Sequence, residues 1–177
     1  MGAHVAPSQG KAFEASPSRS PGLTSPRAFC YSPVMSKARG KFVIFAHSGT
    51  YDKLHQVSTL SLTAAAMGQE VYIILFFWAL KKFYSGQLDH SDFPVEYQSW
   101  SNKIAQLMKE KKVPSVTEMF REAREMGAKV VVCSAGLEYM DIDPSVREVK
   151  KDGLIDDVWG LPQVLTLVED AKIVLYI

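Results

Sequence analysis

A chain of 177 residues with 47% apolar and 22% charged side chains has the balance of one ordinary globular domain, not of a disordered or fibrous chain. Its formal net charge of +1 argues against the basic footprint of a nucleic-acid binder or an anionic-membrane binder. The longest apolar run, VYIILFFWAL at 71–80, falls short of the roughly 20 residues a transmembrane helix needs; Cys30, Cys133, His4, His47, His55 and His90 show no metal-ligand spacing, so neither a metal nor a cofactor is expected.

Residues 1–40 are rich in Pro, Ser, Ala and Gly and carry Glu14 as their only acid against Lys11, Arg19, Arg27, Lys37 and Arg39. Such a stretch buries too little to offset its ordering entropy, so it is expected to be a disordered leader. It lacks the continuous apolar segment of a secretory signal, while its Ser-rich, Arg-bearing, acid-poor character also matches a transit peptide. MSKARGKFVIF opens directly into the first strand, which makes Met35 a candidate true start and places Cys30 in an over-extended leader. Residues 41–177 then form a single domain.

KFVIFA (41–46) predicts a strand and HSGT (47–50) a turn. A helix follows from about Tyr51, with Asp52 at the positive end of its dipole, Leu54, Val57, Leu62 and Ala65 near helical spacing, and Gly68 as its stop. EVYIILFFWA (70–79) is apolar at nearly every position and predicts a strand covered on both faces. Residues 81–99 read as a long polar and aromatic loop, broken by Gly86 and Pro94. SWSNKIAQLMKEKK (99–112) predicts an amphipathic helix with Ile104, Leu107 and Met108 inward and a basic, solvated outer face at Lys109, Lys111 and Lys112. Ser115 and Glu118 have capping-box spacing and open a helix that stops at Gly127, with Met119, Ala123 and Met126 on one side. AKVVVCS (128–134) is a third strand, LIDDV (154–158) a short fourth, GLPQVLTLVEDA (160–171) a helix with Pro162 in its first turn, and AKIVLYI (171–177) a final strand. This alternation predicts an α/β fold, a three-layer sandwich around a parallel sheet of about five strands.

In an open parallel sheet, chemistry gathers beyond the carboxyl ends of the strands. Cys133 lies at that end of the third strand, His47, Ser48 and Gly49 follow the first, Trp78 the second, and Trp159 the fourth. Ser134 and Gly136 are small enough for close backbone approach, and a helix over 135–140 would set its positive end beside the sulfur and favour a thiolate. A cysteine after Val-Val-Val is equally readable as buried packing, and the residues alone leave both options open. His47 would assist a thiolate if it bonded Cys133. Ser48-Gly49-Thr50 before a helix could cradle a phosphate, but it lacks GxGxxG spacing and reads better as a helix cap. Trp78, Phe83, Tyr84, Phe93 and Trp100 form either an aromatic rim over the site or a contact between subunits.

Three stretches, GTYDKLHQVSTLSLTAAAMGQEVYIILFFWAL, KKVPSVTEMFREAREMGAKVVVCSAGLEYM and GLPQVLTLVEDAKIVLYI, together resemble the DsrE/DsrF family of sulfur-relay proteins, most closely its stand-alone DsrE-like branch, across about residues 41–177. The most specific piece is VPSxxE before a helix, followed by a strand that runs straight into Cys133. The resemblance implies a flavodoxin-like sandwich, assembly into homo-oligomers such as trimers or hexamers, and sulfur-carrier or sulfurtransferase activity. In that activity Cys133 holds sulfane sulfur as a persulfide and passes it to a partner thiol. Donor and acceptor would be proteins or small thiols, in a reducing cytoplasm. The chain departs from many relatives in following the cysteine with Ser-Ala-Gly-Leu instead of polar or Met-rich residues, and some relatives lack the cysteine and serve as structural subunits. The alternative is therefore a non-catalytic flavodoxin-like binding or assembly subunit, with a small ligand or partner loop in the strand-end crevice.

Overall fold

Valine, isoleucine and aromatic runs become strands here because each finds a parallel neighbour, and the three central strands also find cover on both faces. In the computed structural model, which describes residues 40–142 and 153–177, the strands are β1 (Lys41–Ala46), β2 (Glu70–Leu75), β3 (Lys129–Cys133), β4 (Asp157–Trp159) and β5 (Ala171–Tyr176). They form one all-parallel sheet in the order β4-β3-β2-β1-β5. The expectations placed on residues 1–39, including the disordered leader, Cys30 and a start at Met35, lie outside the described residues.

The helices are α1 (Tyr51–Ala66), α2 (Phe77–Tyr84), α3 (Ser101–Glu110), α4 (Val116–Glu125), α5 (Ser134–Tyr139) and α6 (Leu161–Glu169), with a 3-10 segment at Val95–Trp100. From β1 to β4 the chain steps across the sheet in one direction, so right-handed crossovers lay the intervening helices on one face. Phe42, Ile44, Ala46, Val71, Ile73, Leu75, Val130 and Val132 meet Leu54, Val57, Leu80, Phe83, Phe120 and Leu137 there. The last crossover reverses, from β4 back past β1 to β5, and carries α6 to the other face. Val164 and Leu167 of α6 there cover Val43, Phe45, Tyr72, Ile74 and Val131. The result is the expected three-layer α/β sandwich, flavodoxin-like in its layers and parallel pairing. In flavodoxin the second strand is the edge strand beside the first; here the last strand takes that edge and β2 lies on the other side of β1.

Several local expectations are corrected. β2 ends at Leu75, and Phe-Trp-Ala-Leu of the apolar run opens α2. The reason is the partner: β1 offers only Lys41–Ala46 for pairing, so a longer β2 would project an unpaired apolar strand. The break falls at Phe77, whose φ of 39° lies in the left-handed region. The loop expected at 81–99 therefore begins as helix and ends as the 3-10 segment. α3 forms but buries none of its residues; Ile104 and Met108 are half-buried and Leu107 is exposed. α4 has the predicted capping box, Ser115 Oγ accepting from the Glu118 N–H at 3.2 Å and Glu118 Oε2 from the Ser115 N–H at 2.8 Å. Met119 and Ala123 are buried as expected, whereas Met126 falls at the C-cap and is exposed. Among the described residues no helix is long and apolar enough to cross a membrane.

Candidate functional site

Parallel pairing puts every strand's carboxyl end on one edge. Along it stand, in order, Trp159 after β4, Cys133 at the end of β3, Phe76 after β2, His47 after β1 and Tyr176 at the end of β5. Cys133 pairs with Trp159 and lies one residue past the Leu75–Val132 pair. The chain leaving β3 turns into α5 on one face, and the chain leaving β4 turns into α6 on the other. Adjacent strands whose connections diverge to opposite faces open the crevice where α/β sheets place ligands. The cysteine singled out from the sequence is at that point.

Its burial differs from what a reactive thiol requires. Cys133 is 0% exposed, whereas the chemistry expected of it called for partial access. It is the N-cap residue of α5, and its side chain makes no capping hydrogen bond. Gly136 on α5 packs over the end of β2; a Cβ there would meet Leu80 Cδ2 at 3.4 Å, an ordinary contact. The small residues after the cysteine thus let α5 settle over the strand end. Trp159 is half-buried beside it, with Nε1 donating to Asp157 Oδ2 at 2.8 Å and its ring 5.9 Å from that of Tyr72.

His47 is not placed to assist. β2 separates β1 from β3, so its backbone is about 10 Å from that of Cys133, two strand spacings away. Its exposed ring stacks on Phe76, centroids 4.8 Å apart. His55 faces Tyr51 and Thr59 on α1, and its Nε2 is buried without a partner among the described residues. Ser48 and Thr50 bond each other locally, and the Thr50 N–H donates to Ser48 Oγ at 3.3 Å. The next N–H, of Tyr51, donates to the Asp92 carbonyl at 2.7 Å. The Thr50 and Tyr51 N–H groups at this helix start are thus satisfied within the chain. Gly49 is required by packing, since a Cβ there would lie 2.7 Å from the Trp78 carbonyl oxygen.

The aromatic rim divides. Phe83 is core, edge-on to Phe120, and Tyr84 packs against the same core. Phe93 and Trp100 line a separate groove beside α1. What remains exposed over the strand ends is Phe77 at 40%, Trp78 at 59%, Tyr139 at 69% and Tyr176 at 72%. The rings of Phe77 and Tyr139 stack with centroids 6.0 Å apart, joining α2 to α5. Neither Phe77 nor Tyr139 was legible as a site residue. The only signal was that FFW outruns the length of β1. Among the described residues no group of three or more His, Cys, Asp or Glu side chains could hold a metal ion.

No family model matches the chain, and no curated protein is similar to it. Among solved structures, it is similar to a conserved protein of unknown function from Bacteroides thetaiotaomicron, at 14% identity over 78% of this chain and 95% of that one, with a TM-score of 0.49.

Proposed function

We propose that the chain is a sulfur carrier or sulfurtransferase in which Cys133 holds sulfane sulfur as a persulfide and passes it to a partner thiol. The observation that carries this reading is the place of Cys133, the last residue of β3 and the N-cap of α5, where the connections of β3 and β4 diverge. The likeness of residues 41–177 to the DsrE/DsrF relay proteins supports it. Cys133 is also the only cysteine among the described residues, so no nearby thiol there would collapse a persulfide into a disulfide. The exchange balances without a cofactor: the Cys133 thiolate attacks the outer sulfur of a donor persulfide, the donor S–S bond breaks, and the donor leaves as a thiolate. An acceptor thiolate then repeats the step on the Cys133 persulfide. Because the sulfur is 0% exposed, each transfer requires the side chains that cover it to move aside. A reducing compartment such as the cytoplasm, and assembly as a homo-oligomeric trimer or hexamer, belong to the same proposal.

That burial favours a second reading, in which Cys133 is packing and the exposed aromatics over the strand ends serve a binding or assembly subunit. Intact-mass spectrometry decides between them. The full chain in a Cys30→Ser background is incubated with a sulfane donor beside its Cys133→Ser counterpart. Gain of a sulfur atom that is lost on mild reduction and absent from the variant is expected. A thiol that neither gains sulfur nor reacts with a small alkylating reagent under native conditions makes the second reading correct.

A further inference from the structure

The segment between α2 and α3 builds a site of its own, away from Cys133. Asp92 is anchored from three directions: Lys82 Nζ donates to its carboxylate, His90 Nδ1 lies 2.7 Å from Oδ1, and its carbonyl accepts the Tyr51 N–H at 2.7 Å. Those contacts hold its neighbour Phe93 against the Tyr51 ring, centroids 5.7 Å apart. Pro94 then starts the 3-10 segment, whose Tyr97 N–H donates to the Pro94 carbonyl at 2.8 Å. The outcome is a groove of about 420 Å³ lined by Asp52, Phe93, Pro94, Tyr97, Trp100 and Ile104, within the roughly 300–1,000 Å³ usual for small-molecule sites.

Its lining is chemically specific. Tyr97 is 61% and Trp100 51% exposed, large aromatic surface to leave facing solvent. Asp52, in the first turn of α1, is exposed, and its carboxylate has no partner among the described residues. Aromatic faces with a nearby carboxylate attract cations whose charge is diffuse and weakly hydrated. Trp100 already holds one cation in this way, with Lys103 Nζ 4.8 Å from its ring centroid.

We propose that this groove binds a methylated ammonium group, its methyls against Phe93, Tyr97 and Trp100 and its charge balanced by Asp52. A proline-rich peptide also suits an aromatic groove, but it would leave the Asp52 carboxylate unanswered. The test is an NMR titration of the full-length protein, following the Trp100 indole N–H, assigned with Trp100→Phe, and the Tyr97 backbone N–H, which reports on the variant that lacks Trp100. The probes are choline, its uncharged isostere 3,3-dimethylbutan-1-ol, and N-acetyl-trimethyl-lysine amide. The expected result is binding of a cationic probe at least roughly fivefold tighter than the isostere, weakened roughly two- to fivefold by Asp52→Asn and again by Trp100→Leu. Preference for choline points to a free cation, and preference for the lysine derivative to a modified protein partner. Equal affinity for the isostere, no response at Trp100, an unaltered affinity in Asp52→Asn, or tighter binding of a proline-rich peptide overturns the proposal. Trp100 and Asp52 are surface residues, so both variants are expected to keep the wild-type spectrum elsewhere.

Discussion

Tyr72 sits on β2 facing α6, 6% exposed, with its hydroxyl donating to the Glu70 carboxylate. Burial first, then that hydrogen bond and the Glu70 charge, push its ionisation from 10.0 up to about 12. The fold thus holds Tyr72 protonated after an unfolded tyrosine has lost its proton. Above pH 10 the native state binds more protons than the unfolded one, so stability falls as pH rises from 10 through about 12. Denaturant unfolding across that window is expected to show a shallower loss in Tyr72→Phe than in the wild type; equal slopes would assign the loss to other groups. Burial likewise raises Tyr51, with help from the Asp89 charge. Gly49 illustrates the opposite kind of residue, one defined by space. Nothing in HSGT announces that the Trp78 backbone passes within 2.7 Å of where its Cβ would be, because that neighbour comes from a different element.

At the scale of elements, α4 was the most legible, since its signals are local. Ser115 and Glu118 cap it reciprocally, and Met119 and Ala123 fall on its buried side. Ser115→Ala should cost about 1 kcal/mol in urea unfolding with an unchanged m-value, as a lost N-cap usually does. A neutral result would mean that water replaces the cap at this exposed helix start. α2 was misread for a physical reason: a short, wholly apolar run has no period with which to tell a buried strand from a buried helix. The arbiter was the length of β1, a strand elsewhere in the chain. α3 shows the converse. Its amphipathic pattern is real, yet none of its residues is buried, because periodicity identifies a helix without supplying a surface for its apolar side.

Across the whole molecule, the short edge strand β4 depends on a tie that crosses elements. Asp156 Oδ2 accepts the Val130 N–H at 2.7 Å and Arg124 Nε at 3.1 Å, while the Asp156 N–H donates to the Val130 carbonyl at 2.8 Å. Asp156→Ala leaves the N–H of fully buried Val130 unpaired, which should cost about 1–3 kcal/mol. Faster amide hydrogen exchange at Val158 than at β1 would show that β4 loosens first; uniform acceleration would place the effect in global stability instead. Because β4 flanks Cys133, this tie also bears on access to the sulfur. The sequence by itself determined the class of fold and the position of Cys133 at a strand's carboxyl end, since both follow from the order of apolar runs, caps and turns along the chain. Tertiary structure alone decided that the sulfur is covered, that His47 stands two strands away, and that Asp52 and Trp100 share a groove. Those outcomes rest on strand order and on contacts between residues distant in sequence, which no local pattern encodes.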